Sequence, residues 1–374
     1  MQTTHSIFSK QEVNTKRQPE LDLLKAVTIF FMIFIHVTEV IFSKEWEDMF
    51  YCNLTTGWQV LYIVINAVAA FGFMFSMGTA ILYSRFNNAR SWIIRGFQLI
   101  LAWLVLRLFY VYPLAKIFAS EHGMSIPEFI LCVICSSDIL FFAGTFFLFI
   151  GIHRKLKIGM TGMIISAVVL FIVGHFISYN PDSILMQYIL GNFIITDNTF
   201  FPFINWIMAP VLGMCWGKIL LHCTNKDRLY LITGIIGAIG TGIILLVANF
   251  KGLLTSIGLE QLTDVQVFYN ANILTVTIAC CFLALLLSLY YAITKFVKAT
   301  WFTNSYTFLS KQLTKIYFVQ WIIIPWLALC LPRPTEKENP WWGILIAVFV
   351  MGASVLLALV DKKIKNAKES KEKK

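Results

Sequence analysis

The sequence predicts an all-α integral membrane bundle of about ten transmembrane helices with both termini in the cytoplasm, and three observations carry that reading. Of 374 residues, 58% are hydrophobic and only 13% charged, whereas about a quarter of a soluble domain is charged. Apolar runs of roughly 18–25 residues recur from end to end, each long enough to cross about 30 Å of hydrocarbon as a helix. The connections between these runs alternate between basic and acidic, as they do in a chain that crosses and recrosses a bilayer.

A polar arm, residues 1–21, opens the chain. The apolar run that follows lacks a small-residue cleavage pattern, so it reads as a retained span and not as a signal peptide. Spans are expected at about 22–42, 58–83, 91–112, 126–152, 158–178, 200–221, 228–249, 269–294, 304–331 and 341–361. Together they form one membrane domain over 22–361, and residues 362–374 form a basic tail. The tail, DKKIKNAKESKEKK from Asp361, is too charged to fold on its own, and it either rests against anionic lipid or is a solvated stop-transfer end.

Charge sets the orientation. Most Lys and Arg fall in the arm, near 85–95, 153–158, 218–228 and 295–315, and in the tail, while the other face holds Lys44, Lys116, Lys251, Arg333 and Lys337. That sparse face is acidic, with Glu45, Glu47, Asp48, Glu121, Asp182, Asp197, Glu260, Asp264, Glu336 and Glu338, so the basic face belongs in the cytoplasm. The net charge of +10 is thereby a topology signal, and no nucleic-acid partner is expected. Cys132 and Cys135 have no neighbouring histidine or second pair to complete a tetrahedral site, so no metal is expected. Gly72 and Gly78, and Gly234, Gly237 and Gly240, are small residues at helical spacing that permit close helix packing.

Polar groups at membrane depth are costly and therefore candidates for function. They are His36, Glu39, Asn66, Arg107 and Asp138. At 1.5 Å per residue His36 lies roughly 20 Å up the first span, and Asn66 about 12 Å below the outer surface. Arg107 reaches the same outer third and Asp138 lies nearer the middle, so an Arg107–Asp138 ion pair across adjacent spans is expected. Glu39 is one helical turn beyond His36 and faces the same way. A carboxylate that orients an imidazole suits it to act as a general base; the competing expectation is that Glu39 only marks the interface and His36 only packs.

LDLLKAVTIFFMIFIH, residues 21–36, resembles the opening span of the transmembrane acyltransferase superfamily, with Asp22, Lys25 and His36 at the positions of its acidic residue, its Arg and its intramembrane His. Lys25 in place of Arg keeps the charge and loses the bidentate fork. FGFMFSMGTAIL (71–82), ARSWIIRGFQLIL (89–101), SSDILFFAGTFFLF (136–149) and FFPFINWIMAPVLGMCWGKIL (200–220) are similar to successive segments of the branch that contains heparan-α-glucosaminide N-acetyltransferase-like proteins. LTKIYFVQW (313–321) resembles the late span that carries a Tyr and, three residues on, a His or Gln, here Tyr317 and Gln320.

The resemblance implies an acyltransferase that takes acetyl from cytosolic acetyl-CoA and passes it to a hydroxyl or amine of an extracytoplasmic glycan or cell-envelope acceptor, in the plasma or inner membrane. His36 would be the base or a transient acyl carrier, with Asp138 or Glu39 orienting it. Lys25, Arg85, Arg90 and Arg95 would meet the CoA phosphates, and Arg107 or Asn66 would stabilise oxyanion charge. A proton-coupled secondary transporter using the same ionisable residues is the alternative, and a scaffold without chemistry is a third.

Overall fold

The computed structural model describes residues 7–42, 56–84, 88–249, 271–331 and 341–372. Arg85 and the side chain of Asn66 lie outside the described parts. In chain order the helices are α1 (Pro19–Ile41), α2 (Thr56–Leu82), α3 (Ala89–Phe118), α4 (Ile126–Cys135), α5 (Ile139–Lys155), α6 (Met160–Phe176), α7 (Ile184–Leu190), α8 (Phe203–Trp206), α9 (Met208–His222), α10 (Lys226–Asn249), α11 (Ile273–Phe296), α12 (Thr300–Cys330) and α13 (Trp341–Glu372). The chain is an all-α, multi-pass membrane bundle. Among the described residues eight helical stretches are long and apolar enough to cross a membrane, taking α4 with α5 and α8 with α9, and two shorter apolar stretches, Val68–Leu82 within α2 and Met160–Phe176, fall where the sequence predicts the second and fifth spans.

Local chemistry explains where these helices begin. Pro19 occupies the first turn of α1 and Glu20 and Asp22 follow it, favourable because the first N–H groups have no intrahelical acceptor and carry positive charge. Asn88 caps α3 by accepting from the Ser91 N–H at 2.7 Å, Ser125 caps α4 and Asn272 caps α11 at 2.8 Å from the Thr275 N–H. At the other end of α5, His153, Arg154 and Lys155 sit in the last turn, opposite the sign of the terminal carbonyls.

Helix α1 is the hub: it packs against α2, α11, α12 and α13, and Leu24, Ile29, Ile33 and Val37 are completely enclosed. Two contacts fix α1 and α12 as parallel and in register, the Ser310 hydroxyl in the third turn of α12 donating to Asp22 in the first turn of α1 at 2.7 Å and Trp321 resting on His36 higher up. Where α2 meets α9, a Cβ on Gly78 would run into the Pro210 carbonyl and one on Gly213 into the Phe75 carbonyl. Backbone-to-backbone contact there requires glycine. In α3, Pro113 has no N–H for the carbonyl of Phe109, and the indole N–H of Trp326 on α12 takes that carbonyl at 2.9 Å.

Three features depart from the sequence-based expectations. The predicted span 126–152 is broken: α4 ends at Cys135 and α5 starts at Ile139, because Asp138 folds its carboxylate back onto the N–H groups of Leu140 and Phe141 at 2.8 and 3.0 Å. The span at 200–221 is likewise two pieces, α8 and α9. The charged tail continues α13 to Glu372, supported at its start by ion pairs of Asp361 with Lys315 and, at 3.5 Å, with Lys365 one turn on.

The arm is also folded. Backbone bonds from Ser9, Val13 and Asn14 to the carbonyls of Leu221 and His222, and from Thr224 to that of Ile7, hold it along the α9–α10 junction. Glu20, almost wholly buried, accepts from Lys226 at 2.5 Å and from the Tyr230 hydroxyl at 2.9 Å, so the start of α1 is tied to the start of α10 by a compensated charge.

Candidate active site

Depth and packing gather the polar residues of four helices into one region. His36 projects from α1 with its side chain 13% exposed, and its Nδ1 lies 3.5 Å from Oε2 of Glu39, the partnership that the spacing predicts. Its ring lies 4.3 Å, centroid to centroid, from that of Trp321 on α12. Trp321 in turn stacks at 5.0 Å and 25° on Tyr110 of α3. An aromatic ladder therefore runs from His36 to a residue one turn above Arg107.

Arg107 and Asp138 do not form the expected ion pair. The guanidinium instead serves the end of α4: it donates to the Val133 carbonyl, to the Ser136 hydroxyl at 2.8 Å and to the Ser137 carbonyl at 3.2 Å, and it lies over the Trp103 ring at 5.2 Å. The break in the helix explains the difference. Terminal carbonyls of α4 present negative charge to the arginine, while the free N–H groups at the start of α5 take the aspartate. From the other side, Asn192 donates to the Cys135 carbonyl at 2.8 Å and the Phe201 N–H to the Ser137 hydroxyl at 3.2 Å, so the 178–206 segment holds the break in place.

Several buried polar atoms in this region have no hydrogen-bond partner among the described residues: Nε2 of His36, whose Nδ1 has only the 3.5 Å ion-pair contact with Glu39, Oδ2 of Asp138, Nε of Arg107 and both side-chain polar atoms of Gln320. Leaving such a group unpaired costs about 1–3 kcal/mol. The four residues with such atoms lie on α1, α3 and α12 and at the α4–α5 break, and a buried polar group without a partner calls for an explanation.

On the basic side of the bundle, a cavity of about 390 Å³ opens between α1, α2, α3, α5 and α12. Lys25, Arg95 and Lys311 supply its cations, Ser84, Ser310 and Thr314 its hydroxyls, and Phe73, Met77, Leu99 and Phe147 its apolar walls. Leu140, whose N–H binds Asp138, is also in the wall. The cavity therefore reaches the first turn of the half-helix that Asp138 caps. Of the residues expected to meet the CoA phosphates, Lys25 and Arg95 line this cavity and Arg90 does not.

Lys311 and Ser310 were not legible as site residues, since a basic residue near a span end is expected on topology alone. Trp321 and Tyr110 were hidden for a similar reason: nothing in an aromatic side chain distinguishes interior stacking from interfacial anchoring.

A model of the heparan-α-glucosaminide N-acetyltransferase catalytic domain matches residues 17–237, more than half of the chain and every residue from the start of α1 to well into α10. The chain belongs to that family. It is therefore a membrane-embedded enzyme of an acetyltransferase family, and His36, Glu39, Lys25, Arg95, Arg107 and Asp138 all lie within the matched stretch. The helix that carries Lys311, Tyr317, Gln320 and Trp321 lies beyond it. No curated protein and no solved structure matches the chain.

Proposed function

We propose that this heparan-α-glucosaminide N-acetyltransferase relative moves an acyl group, acetyl in the simplest case, from acyl-CoA on the cytoplasmic side to a hydroxyl or amine of a glycan or envelope acceptor on the opposite side. One observation carries this reading: a cation-rimmed, apolar-walled cavity on the basic face reaches to Leu140, whose N–H binds Asp138, a buried residue whose second carboxylate oxygen has no partner among the described residues. Lys25, Arg95 and Lys311 suit the phosphates of CoA, and the apolar walls suit its narrow arm. No metal is part of the proposal.

In the reaction, the acceptor oxygen or nitrogen bonds to the thioester carbonyl carbon as its proton passes to His36, and the carbon–sulfur bond breaks to release CoA. The proton then leaves imidazole for the CoA sulfur. In the carrier variant His36 itself attacks first and hands the acyl group on. Glu39 holds Nδ1 in either case, and Asp138, with one carboxylate oxygen on the α5 N–H groups and the other unpartnered, stabilises positive charge on the imidazole.

His36→Ala and His36→Gln should each lower turnover at least about a hundredfold while folded yield is unchanged, because glutamine can hydrogen-bond but cannot take a proton at neutral pH. The measurement is acetyl transfer from labelled acetyl-CoA by purified protein, with membranes of cells lacking the gene as the source of acceptor. In parallel, mass spectrometry of surface glycans from cells with and without the gene should show lost acetyl mass. Near wild-type transfer by His36→Ala would leave His36 as a packing residue.

A further inference from the structure

Gln320 has no structural reason to be a glutamine. Its side chain is completely buried, yet neither Nε2 nor Oε1 has a partner among the described residues. A leucine of similar volume would fill the same space without the cost of desolvating an amide. An unpaired amide retained at full burial in a membrane interior is receptive to a ligand.

Its position says which ligand atom it meets. Leu313, Ile316, Tyr317, Gln320 and Ile324 form the buried stripe of α12, and Leu313 is also in the wall of the cavity. Gln320 lies two turns further along, about 10 Å. The next residue, Trp321, contacts the His36 ring. Gln320 therefore lies further along the same helix than the cavity wall, next to the residue that touches the His36 ring.

Acyl transfer also needs a hydrogen-bond donor at that level. When the acceptor bonds to the carbonyl carbon, the C=O electron pair moves onto oxygen, and it returns as the carbon–sulfur bond breaks. Donors fixed in a dry site stabilise that transient charge most. Arg107, the obvious cation, is already committed through both terminal nitrogens to the end of α4.

We infer that Gln320 binds the acyl donor directly, its Nε2 donating to the thioester carbonyl oxygen and holding the negative charge that develops there. The inference rests on the acyl-CoA reading above, and the test separates the two. Purified wild type, Gln320→Leu, Gln320→Met and His36→Ala are compared by thermal melting and by isotope-edited infrared difference spectra with [1-¹³C]acetyl-CoA.

Wild type and His36→Ala should show the bound C=O stretch at one position, and the two Gln320 variants should shift it to higher frequency with little change in donor affinity. Both Gln320 variants should melt at or above wild type and lose roughly 10²-fold in kcat. A C=O stretch identical in wild type and Gln320→Leu overturns the inference and leaves the donor reading standing. So does unfolding of both variants, which would make the amide structural. Absence of any acetyl-CoA spectrum with wild type overturns the donor reading and the inference with it.

Discussion

Asp138 has one role shown by its hydrogen bonds and one proposed for it, and they can be pulled apart. As the N-cap of α5 it accepts from two backbone N–H groups through Oδ1, a role that asparagine fills equally well and alanine does not. The proposed role, stabilising a charged His36, needs a carboxylate. Asp138→Asn should therefore keep folded yield and lose most acetyl transfer, whereas Asp138→Ala should lose both, with about 0.5–2 kcal/mol of stability gone with the cap. Equal activity of Asp138→Asn and wild type would restrict Asp138 to the cap.

The cavity cations allow a comparable split. Lys25→Ala, Arg95→Ala and Lys311→Ala should each raise KM for acetyl-CoA with a modest change in kcat, and Arg90→Ala should leave both near wild type, since Arg90 is not in the wall. A KM effect confined to Arg90→Ala would relocate the donor.

Among the elements, the α2–α9 crossing is the least forgiving. Gly78 and Gly213 each face a carbonyl group of the opposite helix, and a backbone atom cannot rotate away as a side chain can. Gly78→Ala or Gly213→Ala should sharply reduce folded yield by size-exclusion chromatography, while Gly242→Ala, with nothing within 4 Å of its added Cβ, should behave as wild type. Gly72, Gly78 and the α10 glycines are visible in sequence as small residues at helical spacing. Which of them meets backbone is not, because spacing describes one helix and the crossing belongs to two.

The same limit explains the broken span. Residues 126–152 carry one continuous apolar signal, so hydropathy sees a single helix, whereas Ser136, Ser137 and Asp138 have side chains that compete for backbone N–H groups. In hydrocarbon such a break is tolerated only where protein satisfies the freed groups, and Arg107 and Asn192 do so, while the Phe201 N–H binds the Ser137 hydroxyl. All three come from segments distant in the chain.

At the scale of the molecule, the ten-span topology with both ends inside is a proposal from charge. Accessibility tags at residues 48, 120, 190, 260 and 337 should map outside, and tags at 88, 155, 225 and 300 inside. A cytoplasmic tag at 190 would break the scheme between α6 and α9, and with it the assignment of the cavity to the CoA side.

Composition and apolar run length, read from the sequence alone, determined the membrane class and the order of helices, since crossing hydrocarbon is a requirement each segment meets by itself. His36 with Glu39 was legible for the same reason, being a contact within one helix turn. The tertiary structure alone decided that Arg107 serves the end of α4 and Asp138 the start of α5, that Trp321 lies on His36, that Lys311 joins Lys25 and Arg95, and that Gln320 is enclosed without a partner among the described residues. Each of these depends on which helices are neighbours and how far each is rotated. In an interior where nearly every residue is apolar, hydropathy is almost silent about both, and packing with hydrogen-bond satisfaction chooses.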